Sequence, residues 1–297
     1  MAPLSRRAFL AASAGAVVLA ACSGSSDEPD SGTDATSTGG SINGALQTIQ
    51  FFPDGVVGDQ GLQRFPFGVG DADGVIEGDR GPGDLRATIV ADDGTVVAES
   101  LVVKRHQQGL TRPYWPLVTE GLAVGIYDVR LLTDDGIPLP EATISVAPAS
   151  AVVVKQPGQP MPALPTPSVD EPNGVDPICT DDPPCPLHTA TLADALAAGG
   201  KGVVLLVGTP AYCETAICGP VLDLLLQIAP EYEDRFTFLH AEVYTDETLQ
   251  ESTLAVRELG LTFEPSLFVV DARGTIAARL DVIYDEAELR ATLDAVS

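Results

Sequence analysis

The chain has 297 residues, and its 42 Asp and Glu against 16 Lys and Arg give a formal net charge of −26. So few basic side chains argue against binding to nucleic acid, whose phosphates proteins neutralise with Lys and Arg, and against electrostatic binding to anionic lipid. The length suggests about two domains, and an apolar fraction of 45% is enough for ordinary hydrophobic cores.

The N-terminus has the pattern of an export signal. A pair of arginines precedes an apolar stretch that ends at Ala21. The stretch is too short to span a bilayer, so residues 1–21 are predicted to be a cleaved signal peptide and not a membrane helix. Residues 5–10, Ser-Arg-Arg-Ala-Phe-Leu, resemble the twin-arginine export motif, although the usual Lys after them is missing.

The end of this signal predicts a lipid anchor. Residues 19–22, Leu-Ala-Ala-Cys, resemble a lipobox, in which the signal is cut before a lipidated cysteine. This predicts an exported protein held on the cell membrane through Cys22, facing outside the cytoplasm, with an ordinary cleaved signal as the alternative. Residues 22–41 are almost all Ser, Gly, Thr and Asp, which predicts a flexible tether.

Residues 42–154 consist of short apolar runs separated by Asp-Gly turns. Alternation with a period of two around such turns predicts β-hairpins, and six or seven strands in this length predict an all-β, immunoglobulin-like sandwich. The segment Gly125-Ile-Tyr-Asp-Val129 is similar to the tyrosine corner of such domains. We expect His106 to be a solvated loop residue and residues 112–116 to cap the sandwich core, with a binding patch as the alternative for the latter.

Residues 155–186 are rich in proline. Eleven of the 24 prolines lie between Pro148 and Pro186. Proline fixes φ and lacks a backbone donor, so the segment is predicted to be an extended, semi-rigid linker. Its two cysteines, Cys179 and Cys185, are predicted to form a local structural disulfide in an oxidising compartment, with a second redox pair as the alternative.

Residues 187–297 have longer helical and strand patterns. Their order, αβαβαββα, predicts an α/β domain with parallel strands followed by an antiparallel pair. The predicted elements are a helix starting at Thr191, a strand at 203–207, a helix through 219–226, a strand at 236–243, a helix at 246–259, a hairpin of 267–270 with 275–282, and a final helix from Asp285.

Cys213 and Cys218 lie where the first of these strands leads into its helix. A helix N-terminus stabilises a thiolate, and two thiols within disulfide reach form a redox couple. Residues five apart in one α-helix have Cα atoms too far apart for a disulfide, beyond about 7 Å, so Cys213 must precede the helix. We expect Cys218, in the first turn, to be the better-stabilised thiolate and Cys213 its resolving partner. If it is buried beneath them, Glu242 would accept a proton during exchange, because burial raises a carboxyl pKa.

These features together resemble the thioredoxin fold. The resemblance covers about residues 176–297 and rests on the element order, the cysteine pair after the first strand, and Glu264-Pro265-Ser266 just before a later strand. It implies a cis-proline at Pro265 beside the active site. Residues 218–221, Cys-Gly-Pro-Val, resemble the family's Cys-Gly-Pro-Cys with its second cysteine replaced.

The resemblance implies a thiol–disulfide oxidoreductase with Cys213, Cys218 and Pro265 as its catalytic residues and protein thiols and disulfides as its partners. Four residues separate the two cysteines where the family has two, and Tyr212 stands where the family has Trp. The family's rates and potentials therefore do not carry over. No organic cofactor is expected, because the sequence has neither a Gly-rich phosphate loop nor a dinucleotide fingerprint, and no metal site is assigned.

Three other functions stay open. The cysteine pair can be a permanent structural disulfide in a non-catalytic scaffold or binding lipoprotein. A peroxiredoxin-like site would use Thr215, three residues before Cys218, but Pro210 is one residue out of register. A Cu(I)-carrying relative of thioredoxin would need His188 or His240 as a third ligand.

Overall fold

The computed structural model describes residues 42–51, 56–57 and 61–296. The predicted signal peptide of residues 1–21, the lipidated Cys22 and the tether of residues 22–41 lie outside the described residues. Within the described part of the chain, no helix is long and apolar enough to cross a membrane.

The first half of the described chain is made of β-strands. They are β1 (Gln47–Gln50), β2 (Leu62–Asp71), β3 (Gly74–Val75), β4 (Leu85–Ala91), β5 (Val96–Val103), β6 (Trp115–Glu120), β7 (Gly125–Thr133) and β8 (Ala142–Val146). One four-stranded sheet has the order β1-β2-β3 with β6 beside β2, and the other has the order β5-β4-β7-β8. All of these pairs are antiparallel. The predicted all-β sandwich is confirmed.

One hydrophobic cluster joins the two sheets, with Phe67 contributed by one and Ile89 by the other. Along β8 buried and exposed residues alternate strictly, which is the period expected of a strand with one covered face. The predicted hairpins turn at Gly94 and Gly136, whose positive φ angles of 85° and 84° suit glycine. The hydroxyl of Tyr127 donates to a backbone carbonyl four residues upstream at 2.8 Å, the contact of a tyrosine corner.

Residues 155–186 form no helix or continuous strand, as their prolines predict. They differ from the predicted extended linker because they pack against the second half of the chain. Met161 and Leu164 are buried in one hydrophobic cluster with Val207 and Phe268. Burying an apolar side chain of this size stabilises a fold by about 1.5–3 kcal/mol, so the apolar residues between the prolines hold the segment in place.

The second half alternates helices and strands. They are α1 (Leu192–Ala198), β9 (Gly202–Val207), α2 (Cys218–Tyr232), β10 (Phe236–Ala241), α3 (Leu254–Leu259), β11 (Ser266–Val270), β12 (Ile276–Asp281) and α4 (Glu286–Ala295), in the predicted order. The sheet order is β10-β9-β11-β12; β10 and β9 are parallel, and β11 is antiparallel to both of its neighbours. Every residue of β9 and β11 is buried, which explains their continuous apolar sequences.

The helix predicted at 246–259 is much shorter in the structure, because α3 begins only at Leu254. The carboxylate of Asp246 accepts a hydrogen bond from the backbone N–H of Thr248 at 2.8 Å. Such a local side-chain bond offers the backbone an alternative to the helix. The residues before α3 therefore form a loop, closed by backbone pairing between Tyr244 and Ser252.

The two halves of the chain pack through a polar contact around Glu288 of α4. Arg64 of β2 donates to both carboxylate oxygens at 2.6 and 2.7 Å, and the hydroxyl of Tyr114 donates to one of them at 2.5 Å. The Tyr114 oxygen also accepts from the backbone N–H of Asp285 at 2.8 Å. The Asp285 carboxylate lies 3.0 Å from Nδ1 of His106. His106 is thus part of this contact and not the solvated loop residue predicted from sequence.

Candidate active site

The Cys213–Cys218 disulfide closes the loop between β9 and α2, and its Cα atoms are 6.0 Å apart, within the usual span of a disulfide. Ala216 has a left-handed φ of 54° and donates its N–H to the carbonyl of Cys213 at 3.0 Å. This turn brings the two cysteines together. As their spacing predicted, Cys213 precedes the helix and Cys218 begins it.

The two sulfur atoms have different surroundings. Cys213 is partly exposed, and its Sγ accepts a hydrogen bond from the backbone N–H of Cys218 at 3.4 Å. Cys218 is only 1% exposed. A free N–H at a helix start stabilises a thiolate, so the accessible sulfur of Cys213 is also the one that α2 stabilises. This is the reverse of the roles predicted from sequence, where the spacing locates Cys218 in the first turn without revealing that it is buried.

Glu264 lies beside the buried sulfur. Its Oε2 is 3.4 Å from Cys218 Sγ and accepts a hydrogen bond from the backbone N–H of Thr209 at 2.7 Å. Burial raises the pKa of Glu264 to about 7; the Thr209 N–H opposes this, and the charges of Glu242 and Glu214 add to it. A carboxyl with a pKa near neutrality can both accept and return a proton, which suits general acid–base chemistry.

Glu242, the proton acceptor predicted from sequence, binds elsewhere. Its Oε1 accepts hydrogen bonds from the backbone N–H and the hydroxyl of Thr180, at 2.7 and 3.1 Å. The place expected for Glu242 is taken by Glu264, which stood out in sequence only as the neighbour of Pro265. The sequence does not reveal which of these carboxylates the fold brings to the buried sulfur.

Pro265 follows a cis peptide bond, as the resemblance to thioredoxin implied. Gly208, the first residue after β9, lies against it. A Cβ atom on Gly208 would be 3.1 Å from Pro265 Cβ and 3.5 Å from Cys218 Sγ. The end of β9, the cis-proline and the disulfide are therefore in close contact, with little room for a side chain at position 208.

The β-sandwich borders the disulfide loop. Arg112 Nη1 donates to the backbone carbonyl of Thr215, within that loop, at 2.8 Å. Arg112 also lines a small pocket together with Ile217 and Pro220. The segment predicted to cap the sandwich core therefore has two roles, because Trp115 fills that core while Arg112 reaches the second half of the chain.

Cys179 and Cys185 are free thiols in the structure and do not form the disulfide predicted from sequence. Their sulfur atoms lie 3.9 and 3.4 Å from Nδ1 of His240, and Nε2 of His188 lies 3.2 Å from the same nitrogen. Hydrogen bonding from Cys185 lowers the pKa of Cys179, and both imidazoles act in the same direction. We call these four side chains the Cys2His2 cluster.

The two histidines group with this second pair and not with Cys213 and Cys218. The backbone N–H of His240, on the edge strand β10, donates to the carbonyl of Leu187 at 3.0 Å, which places His188 beside it. Among the described residues, the ionisable group gathered with Cys213 and Cys218 is Glu264. The structure therefore does not support a Cu(I) site that combines Cys213 and Cys218 with a histidine.

No protein-family model matches the chain, and a comparison with curated proteins finds no match. Among solved structures, the chain is similar to the Lin-41 filamin domain, with 15% identity over 36% of this chain and 97% of that one and a TM-score of 0.25. It is also similar to the PKD domain of the human VPS10 domain-containing receptor SorCS2, with 16% identity over 46% of this chain and 99% of that one and a TM-score of 0.19. At these TM-scores neither similarity carries a conclusion about this chain, and the sandwich rests on its own strand pairing.

Proposed function

We propose that this protein is a thiol–disulfide oxidoreductase whose exchanging pair, Cys213 and Cys218, belongs to a thioredoxin-like domain of residues 187–297. The observation that carries the proposal is a disulfide with an ionisable, largely buried carboxyl 3.4 Å from its buried sulfur. A permanent structural disulfide does not need a carboxyl beside it, and burying a carboxyl costs free energy. An exchanging pair does need one, because a thiolate forms and disappears at that sulfur in each cycle.

In the reducing direction, the Cys213 thiolate attacks a substrate disulfide and forms a mixed disulfide, while the first substrate sulfur leaves as a thiolate and takes a proton from water. Glu264 then accepts the proton of the Cys218 thiol. The Cys218 thiolate attacks the Cys213 sulfur, the Cys213–Cys218 disulfide forms, and the second substrate sulfur leaves. Two electrons pass from the dithiol to the substrate. Oxidation of substrate thiols is the same sequence reversed, with Glu264 returning its proton to Cys218.

The strand pairing supports the thioredoxin-like assignment. The cysteine loop follows the central strand β9, and the cis-proline directly precedes its neighbour β11. Val207, at the end of β9, pairs with Ser266, at the start of β11. The cysteine loop and Pro265 therefore lie at the same end of these two central strands. In this arrangement the backbone before Pro265 can pair with an extended peptide that carries the substrate sulfur.

The activity is tested on the full chain, with dithiothreitol as the electron donor and insulin as the disulfide substrate. We expect insulin to be reduced at a rate proportional to protein concentration and well above the uncatalysed rate. The double variant Cys213→Ser, Cys218→Ser is the matched control and should return the uncatalysed rate. A wild-type protein that turns over neither insulin nor oxidised glutathione would contradict the proposal.

Replacing Glu264 by glutamine should remove a pH dependence near neutrality. The pKa of Glu264 is raised to about 7, so resolution of the mixed disulfide should speed up as the carboxyl ionises through that pH. Glutamine cannot accept the proton, and general-base catalysis contributes about 10²-fold or more, so E264Q should be slower by about that factor and lack the inflection. Stopped-flow measurement of mixed-disulfide resolution across the neutral pH range gives both the rate and the inflection. An inflection that is unchanged in E264Q would show that another group titrates there.

The same substitution should change how stability depends on pH. The pKa of Glu264 rises from its ordinary 4.5 to about 7 on folding, so the folded chain binds more protons than the unfolded chain between these values. Wild-type stability should therefore fall as the pH rises through this window, and the stability of E264Q relative to the wild type should increase over it. Urea unfolding of both proteins at about pH 4 and about pH 8 measures this, and a constant difference would contradict the raised pKa.

Export and anchoring are part of the proposal and rest on the sequence of residues 1–22. Mass spectrometry of the mature N-terminal peptide, from protein expressed in a bacterium with the lipoprotein-processing enzymes, is the measurement. We expect the peptide to begin at Cys22 and to carry a diacylglyceryl group. A peptide that begins with an unmodified Cys22, or that retains residues 1–21, would contradict the anchor.

A further inference from the structure

The Cys2His2 cluster has no part in the proposed exchange. Its members, Cys179, Cys185, His188 and His240, are each at most 7% exposed. One nitrogen or sulfur atom from each lies within 4.8 Å of those of the other three. We infer that these four residues form a tetrahedral site for Zn²⁺. The inference does not depend on the redox proposal, because the two sites share no residue.

The distances inside the cluster agree with the edges of a zinc tetrahedron. Zinc–sulfur bonds of about 2.3 Å and zinc–nitrogen bonds of about 2.0–2.1 Å give edges of about 3.3 Å between two nitrogens and about 3.5 Å between nitrogen and sulfur. The His188 and His240 nitrogens are 3.2 Å apart, and Cys185 and Cys179 lie 3.4 and 3.9 Å from His240 Nδ1. A ring nitrogen has one hydrogen or one lone pair, so hydrogen bonding alone does not account for three partners around this atom.

The opposite side of the His240 ring fixes its orientation. Nε2 lies 2.9 Å from the carbonyl oxygen of Gly208, which only accepts, so Nε2 carries a hydrogen. In the neutral ring the Nδ1 lone pair then faces the two sulfurs. A zinc-bound histidine usually donates its other N–H to a carbonyl or a carboxylate in this way. His188 directs its Nε2 at Nδ1 of His240. The buried Nδ1 of His188 has no hydrogen-bond partner among the described residues, so hydrogen bonds account for only one of its two ring nitrogens.

Charge balance favours a divalent ion. The backbone N–H of Cys185 donates to the sulfur of Cys179 at 3.3 Å, and such a bond stabilises a thiolate. Two buried thiolates without a counter-charge would be costly, whereas Zn²⁺ makes the site neutral and Cu(I) leaves it with one negative charge. Four protein ligands fill a tetrahedron and leave no position for substrate, which is typical of structural zinc.

The position of the site explains what zinc would do for the fold. The cysteine segment is held on the second half of the chain through Thr180, whose N–H donates to Glu242 and whose hydroxyl accepts from the backbone N–H of Ala211 at 3.2 Å. Cys179 also lines a surface pocket with Pro184, which gives an ion an approach to this segment. A bound ion would tie the proline-rich segment to β10, while Thr180 holds the same segment to the turn before Cys213.

Metal content of the full chain, purified with reductant and dialysed against metal-free buffer, is the first test. We expect one zinc per chain by plasma mass spectrometry. Removing a residue that only hydrogen-bonds to a metal ligand weakens metal binding about 10–100-fold. The ligand variants Cys179→Ser and His240→Ala should therefore weaken zinc binding by at least about tenfold. The matched control Cys213→Ser, Cys218→Ser removes the other cysteine pair and should keep one zinc.

A second measurement needs no variant and is therefore independent of misfolding. Cobalt substituted for zinc in the wild-type chain should give intense visible bands and a thiolate-to-cobalt charge-transfer band, the signature of tetrahedral coordination with sulfur ligands. A weak octahedral cobalt spectrum would overturn the inference. A Cys179–Cys185 disulfide, found by peptide mapping in a zinc-free chain, would overturn it as well.

Discussion

Replacing Cys213 by serine should abolish disulfide exchange, whereas replacing Cys218 by serine should leave a protein that is captured as a mixed disulfide with its substrate. Cys213 is the partly exposed sulfur and accepts the first N–H of α2, so it is the sulfur that a substrate reaches. Cys218 is buried beside Glu264 and acts only on the mixed disulfide. The first variant lacks the attacking thiolate, and the second lacks the resolving one.

Peptide-level mass spectrometry after incubation of each reduced variant with oxidised glutathione measures these roles. We expect one glutathione on Cys213 in C218S and none on Cys218 in C213S over the same incubation. Capture on Cys218 alone would instead support the roles predicted from sequence. If neither variant is captured and both lose a few kcal/mol of stability, as on removal of a structural disulfide, the pair is a staple and the proposed function is wrong.

Replacing Glu288 by alanine should destabilise the chain by about 3 kcal/mol, because removing one partner of a buried ion pair leaves the other charge uncompensated. The side chains of Arg64 and Glu288 are only 14% and 13% exposed. Tyr114, which is fully buried, loses the acceptor of its hydroxyl in the same variant. This contact joins the β-sandwich to α4, so its loss should weaken the packing of the two halves of the chain.

Urea unfolding of E288A against the wild type measures the effect, with E231A as the matched control. Glu231 also pairs with an arginine, Arg290, but these side chains are 57% and 31% exposed. An exposed pair contributes at most about 1 kcal/mol, so E231A should change stability little. Equal effects of the two substitutions would show that burial of the Arg64–Glu288 pair does not matter to the fold.

Local signals were enough to predict most of the second half of the chain. Helices were predicted to start at Thr191 and Asp285, and these residues cap α1 and α4 with their side chains. The spacing of Cys213 and Cys218 correctly predicted that Cys213 precedes α2 and that Cys218 lies in its first turn. These features depend on a few neighbouring residues and on helix geometry, which a sequence displays directly.

Contacts between distant residues could not be read in this way. Glu264 lies 46 residues from Cys218, and Cys179 lies 61 residues from His240. Glu264 meets Cys218 because the end of β9 pairs with the start of β11, and Cys179 meets His240 because the proline-rich segment packs on β10. Tyr114 and Glu288 of α4 are also far apart in the sequence. A tyrosine hydroxyl can bond to water or to a buried carboxylate, so the sequence does not show which partner Tyr114 has. The length of α3 was also mispredicted, because Asp246 forms a local turn that a count of helix-forming residues does not detect.

The most direct test of the central claim is the reduction potential of the Cys213–Cys218 disulfide, measured on the full chain in glutathione and dithiothreitol buffers, with alkylation and mass spectrometry to identify each cysteine. A disulfide whose Cys213 thiolate is stabilised by a helix N-terminus and whose Cys218 lies beside a proton acceptor should open above about −300 mV, in the range of labile and catalytic pairs. Opening in that range, with Cys179 and Cys185 remaining a separate unit, is the predicted result. A Cys213–Cys218 disulfide that stays closed below about −300 mV, or cysteines that pair between the two sites, would contradict the account.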